Sequence, residues 1–101
     1  MPIQIALLQL VGYSDFGFET QPATGNARKR AMMAGAHALK RATDIDHGYD
    51  AAAWREFLIA AGDEYGYTHS YAFHAVDKAV QAAIADPDVL DALSLLASGD
   101  G

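Results

Sequence analysis

Apolar residues recur along the second half of the chain with the spacing of amphipathic helices. The clearest stripe follows i, i+3, i+4, i+7 and i+11, and it contains Trp54, Phe57, Leu58, Ala61 and Tyr65. A second stripe contains Phe73, Val76, Val80, Ala83 and Ile84. A third contains Val89, Leu90, Leu93, Leu96 and Ala97. Each stripe predicts a helix that packs one face on a core.

Turn and capping residues separate these stripes. Asp50 is well placed as the N-cap of the first helix, and Gly66 marks the break before the second. Asp86 followed by Pro87 predicts a cap and a proline at the first position of the last helix. The three helices are therefore separate elements.

An earlier helix, predicted over residues 27–43, has a stripe of small residues on one side. The stripe contains Ala27, Ala31, Ala34, Gly35, Ala38 and Ala42. Small side chains let another helix approach closely. Arg30, His37 and Arg41 line a flank of the same helix at i, i+7 and i+11. We call these three residues the basic row.

The N-terminal run IQIALLQLV, residues 3–11, is almost continuously apolar and shows no helical amphipathicity. We interpret it as a short buried strand, although a short apolar run of this kind also fits a buried helix. IQIALLQL resembles the first strand of the nitrilase-type carbon–nitrogen hydrolases. That family depends on a catalytic cysteine, and this chain has no cysteine. No activity or residue role therefore follows from the resemblance.

These patterns together predict a mainly α fold. The expected architecture is a small compact bundle of about four helices with an N-terminal apolar segment that forms a short strand. A length of 101 residues fits a single domain, residues 1–101. Within it we expect a strand and loop arm over residues 1–26 and a helical body over residues 27–98.

Composition and charge limit the range of possible functions. Without cysteine there are no disulfides, thiolate metal sites or cysteine nucleophiles. The net charge is −6, but five of the seven basic residues precede residue 44, and eleven of the thirteen acidic residues follow residue 43. This segregation predicts one basic helix on an acidic body. The sequence shows no pattern of a signal peptide or membrane span, so we expect a cytoplasmic protein with no membrane partner.

Two groups of residues could carry metal or acid–base chemistry. Asp44, Asp46, His47 and Asp50 lie between helices, but their spacing departs from that of a calcium-binding loop, and capping of the neighbouring helices explains them better. His74 and Asp77 are compatible at i, i+3, and a surface pair is the commoner meaning of that spacing. We therefore predict no cofactor.

Aromatic rings alternate along residues 65–73. If these residues are the end of one helix, a glycine break and the start of the next, Tyr65 and Phe73 join the core. Tyr67 and Tyr71 are then left as candidates for contact with a partner. A strand would instead place all the rings on one face as a stacking platform. The helical interpretation is preferred because the apolar stripes continue in register on both sides.

The preferred functional hypothesis is a small non-enzymatic protein-binding module that acts as an inhibitor, adaptor or assembly factor on a larger protein. The candidate partner-binding residues are Arg30, His37, Arg41, Tyr67, Tyr71, His74 and Lys78. One alternative is a nucleic-acid-binding module that uses the basic helix, residues 27–43. Another is a small metal-dependent enzyme or cation-binding protein that uses residues 44–50. Homo-oligomerisation through the alanine stripe, Ile59 and Leu95 is a further alternative.

Overall fold

The computed structural model describes residues 3–13, 25–68 and 73–99, and their secondary structure is mostly helical. The helices are α1 (Ile3–Leu10), α2 (Gly25–Thr43), α3 (Ala51–Ala60), α4 (Phe73–Ile84) and α5 (Pro87–Ala97). A radius of gyration of 12.2 Å fits a compact domain, for which about 13 Å is expected at 100 residues. The predicted mainly α class is confirmed.

The strand predicted for residues 3–11 is wrong, because residues 3–10 form helix α1. The described residues therefore contain five helices and no strand. Helix α1 contacts α2, α3 and α4, and most of its residues are buried. A helix that is covered on several sides needs no polar face, so its sequence looks like that of a buried strand. Buried residues of α1 lie in the hydrophobic core together with those of the other helices.

Gln4, a polar residue of α1, makes hydrogen bonds that a helical wheel cannot predict. Gln4 Nε2 donates hydrogen bonds to the carbonyl oxygens of Gly66 at 2.6 Å and Tyr67 at 3.2 Å. Those two carbonyls lie in the segment that connects α3 to α4, so Gln4 links α1 to this segment. Gln9 is buried as well.

The stripe of small residues on α2 allows α1 to pack closely against it. A Cβ atom added at Gly35 would collide with the backbone of α1, including Leu10 N and, at 2.6 Å, Ala6 O. Ala31 and Leu39, one turn to either side, are also buried. The predicted close approach of a second helix is therefore confirmed, and its partner is α1 of the same chain.

Both predicted caps are present. Asp50 Oδ1 accepts a hydrogen bond from Ala53 N at 3.0 Å at the start of α3. Asp86 Oδ1 accepts one from Asp88 N at 2.9 Å, and Pro87 begins α5. Gly66 has a φ of 79°, in the left-handed region where glycine is favoured, as its position at a break suggested.

Candidate protein-binding surface

Helix α2 has one face in the core and the other in solvent. Met32 and Leu39 are fully buried. All three members of the basic row, Arg30, His37 and Arg41, are exposed. The close packing of α1 on the small-residue stripe at Gly35 fixes the rotation of α2 about its own axis. The basic row is therefore available for contact.

The loop after α2 is held in a defined shape. Asp44 ends the helix with a φ of 59°, a conformation that only a few residue types adopt readily. Asp46 Oδ1 accepts a hydrogen bond from Gly48 N at 2.8 Å, and Trp54 Nε1 donates to Gly48 O at 3.0 Å. The ring of His47 packs edge-on against Trp54, with centroids 4.9 Å apart. These contacts give the loop a defined conformation next to α2.

A groove of about 520 Å³ lies between the C-terminal half of α2 and this loop. We call it the α2 groove, and it is lined by Met33, Ala34, Ala36, His37, Lys40, Asp46, Gly48 and Tyr49. Met33 is 47% exposed, and of the large apolar side chains exposed in the described residues it is the one that lines this groove. Lys40 Nζ lies 3.6 Å from Asp46 Oδ2, but both side chains are 62% exposed, so this ion pair is weak.

A second recess, of about 430 Å³, lies between the start of α3 and α5. We call it the α5 recess, and its lining includes Tyr49, Ala51, Leu90, Leu93, Ser94 and Ala97. Tyr49 lines both hollows, so the α2 groove and the α5 recess are neighbours. Leu90, at 44% exposed, is the most exposed large apolar side chain in the α5 recess.

A network of side-chain hydrogen bonds centred on Asp77 lies between α3 and α4. Arg55 donates from Nε to Asp77 Oδ1 at 2.8 Å and from Nη2 to Asp77 Oδ2 at 2.9 Å. The hydroxyl of Tyr67 donates to Oδ1 at 2.8 Å, and Gln81 Nε2 donates to Oδ2 at 2.6 Å. We call these four residues the Asp77 cluster. The surface pair of His74 and Asp77 predicted from sequence is wrong, because Asp77 is buried and bonded to other residues.

Hydrogen bonding dominates the electrostatics of the Asp77 cluster. The hydrogen bonds from Arg55, followed by those from Tyr67 and Gln81, lower the pKa of Asp77 from 3.8 to about 2, although burial opposes the shift. The same contact raises the pKa of Arg55. Burial and the bond to Asp77 raise the pKa of Tyr67 well above its ordinary value. A carboxylate with so low a pKa is a poor base, so this geometry suits a structural link between α3 and α4.

The structure separates the sequence-predicted site residues into groups. The basic row lies on α2, whereas His74 and Lys78 are exposed on α4, and these two helices do not contact each other. Tyr67 is fully buried, so its side chain is a core residue and we remove it from the candidate surface. Tyr71 lies outside the described residues.

Met33 and Tyr49 were not among the sequence-predicted site residues. A signal for Met33 exists, since it follows Arg30 by three residues and precedes His37 by four, which places it on the same helix flank. Tyr49 has no such signal, because its position depends on how the loop after α2 folds. Both residues line the α2 groove.

The residues proposed as an alternative cation site have structural roles. Asp46 closes a turn, Asp50 caps α3, and His47 packs on Trp54. Across residues 3–13, 25–68 and 73–99, no group of three or more His, Asp or Glu side chains could hold a metal ion. In the same ranges no helix has the length and apolar content needed to cross a membrane.

Comparisons with models of known protein families, with curated proteins and with solved structures give no match to this chain.

Proposed function

We propose that this chain is a small non-enzymatic protein-binding module that acts as an inhibitor, adaptor or assembly factor on a larger protein, with the α2 groove as its contact surface. The observation that carries the proposal is Met33, which is 47% exposed inside a groove with basic residues on its rim. A flexible, polarisable methionine at a concave surface suits an apolar side chain of a partner. The cytoplasmic location stays a prediction from the sequence.

The charges around the α2 groove indicate the chemistry of the partner. His37 and Lys40 line the groove, and Arg41 is exposed one turn beyond His37. Asp46 offsets part of this charge through its contact with Lys40. An acidic segment with one protruding apolar side chain would complement the groove, since charge at an interface rim steers association and sets orientation.

The first experiment is affinity capture of the full chain from its native host, followed by mass spectrometry and calorimetric titration of the purified partner. Met33→Glu places a carboxylate in the groove and should weaken binding at least about tenfold. Ile59→Glu is the matched control, because Ile59 is 36% exposed on α3 and lines neither hollow. It should bind like the unmodified chain.

Two results would overturn the proposal. One is the recovery of no stoichiometric protein partner under any salt condition. The other is a partner whose affinity is unchanged by Met33→Glu, or is weakened equally by Ile59→Glu. Melting curves of both variants verify that the fold is intact.

Nucleic-acid binding is a second candidate because Arg30, His37 and Arg41 are all exposed along one helix. That function predicts an affinity for single- or double-stranded nucleic acid that falls steeply with salt, and that is lost in Arg30→Ala/Arg41→Ala. The pI of about 4.8 argues against it, since nucleic-acid-binding domains are usually basic. Absent or salt-insensitive binding would remove this candidate.

A further inference from the structure

Two methionines stand next to each other on α2 in opposite environments. The chain contains three methionines and no cysteine, so all of its sulfur is in thioethers. Met1 lies outside the described residues. Met32 is 0% exposed, whereas Met33 is 47% exposed and lines the α2 groove. Neighbouring residues on an α-helix point about 100° apart, which allows one thioether to lie in the core and the other at the surface.

The packing of α2 fixes this difference between the two methionines. Met32 belongs to the hydrophobic core, and a Cβ atom added at Gly12 would lie 3.4 Å from Met32 Cε. Gly35 follows Met32 by one turn on the same face, and its close contact with the backbone of α1 prevents α2 from rotating. Met33 therefore stays accessible to small molecules in solution while Met32 is shielded by the core.

Access to a thioether decides how readily it is oxidised. Hydrogen peroxide transfers one oxygen atom to the sulfur, its O–O bond breaks, and it leaves as water. The sulfur loses two electrons and becomes a sulfoxide. Methionine sulfoxide reductases reverse the reaction with a dithiol, which is oxidised to a disulfide while the oxygen leaves as water. The modification is therefore reversible.

We infer that Met33 is a selective site of reversible oxidation, and that its sulfoxide weakens binding of the partner at the α2 groove. This inference rests on the proposed function, since it regulates the same surface. The sulfoxide side chain keeps the length of methionine but has a polar S=O group. An apolar side chain of the partner would take this group out of water without a hydrogen bond, which lowers the affinity.

Oxidation at Met33 should leave the fold intact, because the side chain is at the surface. The same reaction at Met32 would place a polar oxygen among buried apolar side chains. A short exposure to peroxide should therefore change binding before it changes stability.

The first test treats the purified full chain with dilute hydrogen peroxide and follows the products by proteolysis and tandem mass spectrometry. Met32 and Met33 share the tryptic peptide of residues 31–40, and fragment ions that separate them show which one carries oxygen. Met33 should be oxidised at least about tenfold faster than Met32, because the peroxide reaches Met32 only after local unfolding. The melting temperature of the oxidised chain should shift by less than about 4 °C.

The second test measures binding to the protein recovered by affinity capture, after the peroxide has been removed from the oxidised chain. Oxidation should raise the dissociation constant at least about fivefold, and treatment with methionine sulfoxide reductases and dithiothreitol should restore it. Met33→Leu removes the sulfur at similar volume, so its binding should change less than about twofold on peroxide treatment. Met32→Leu is the matched control and should respond to peroxide like the unmodified chain. Met1 is present in both variants, so its oxidation cannot explain a difference between them.

Three results would overturn the inference. The first is equal oxidation of Met32 and Met33 in the folded chain. The second is an unchanged affinity after complete oxidation of Met33, and the third is an equal loss of affinity in peroxide-treated Met33→Leu. If Met33→Glu weakens binding but the sulfoxide does not, the proposed function stands and its regulation by oxidation fails. If no partner is captured, the effect on binding fails together with the proposed function, while the peroxide time course still decides whether Met33 is the selective site.

Discussion

The Asp77 cluster and the α2 groove differ in how far their side chains are buried and bonded to other residues of the chain. In the cluster, Arg55, Tyr67 and Gln81 supply four hydrogen bonds to one buried carboxylate. In the groove, Met33 is half exposed, and Lys40 has only a weak ion pair. A polar site whose groups are all bonded to each other stabilises the fold, whereas a concave surface with an exposed apolar side chain can bind something else.

Asp77→Ala should have the largest effect on stability and should break the link between α3 and α4. It leaves the Arg55 guanidinium and the buried Tyr67 hydroxyl without their acceptor, which should cost about 4 kcal/mol of unfolding free energy. Chemical denaturation of both proteins measures the loss. Gln81→Ala removes only one donor from an exposed residue and should cost about 1 kcal/mol. Equal losses would show that Asp77 is not the centre of the cluster.

Gly35→Ala tests the close packing of α1 against α2, the helix that forms one side of the α2 groove. At an ordinary helix position this change gains about 1 kcal/mol. Here the new Cβ would collide with the backbone of α1, and the expected result is a loss of about 3 kcal/mol in thermal or denaturant unfolding. Ala34→Gly, at the exposed neighbouring position, is the control and should cost about 1 kcal/mol. A stabilised Gly35→Ala protein would contradict the close packing of α1 on α2.

The pH dependence of stability should come from the Asp77 cluster more than from the groove. Folding lowers the pKa of Asp77 from 3.8 to about 2, so the stabilisation is fully present above the unfolded value and is lost as the pH falls through about 2. The loss should be about 2 kcal/mol. Denaturation between pH 6 and 2, in steps of about one pH unit, should show it, and Asp77→Asn should flatten the curve in this range. The same slope in Asp77→Asn would assign the acid sensitivity to other carboxyl groups.

Met33→Glu should have the smallest effect on stability, less than about 0.5 kcal/mol, because the side chain is on the surface. Thermal unfolding checks this value directly. A loss of several kcal/mol would mean that Met33 belongs to the core, and the binding experiments with this variant would then need Met33→Lys as a second substitution.

The amphipathic helices were predictable because each has one face in the core and one in solvent. The caps Asp50 and Asp86 could be read directly, since capping depends on residues only two or three positions apart. Helix α1 could not be recognised, because burial on several sides removes the periodic signal. The basic row could be recognised as one flank of α2 from its spacing of i, i+7 and i+11, and all three residues are exposed.

The Asp77 cluster was missed for a different reason. Arg55 and Asp77 are 22 residues apart, and Arg55 reads from the sequence as a member of a solvated helix face. Tyr67 seemed to be a surface residue because it follows Gly66 in a turn, but the hydrogen bond to Asp77 allows its hydroxyl to be buried. Partners that the tertiary fold brings together leave no local pattern. The α2 groove was missed in part for the same reason, because Tyr49 reaches it through the shape of a loop.

The most direct test of the central claim is a calorimetric titration of the captured partner with the unmodified chain, Met33→Glu and Asp77→Asn, at a temperature where all three are folded. We predict that Met33→Glu binds at least about tenfold more weakly with an unchanged melting temperature, and that Asp77→Asn melts earlier but binds normally. Normal binding by Met33→Glu, together with lost binding by folded Asp77→Asn, would contradict the account.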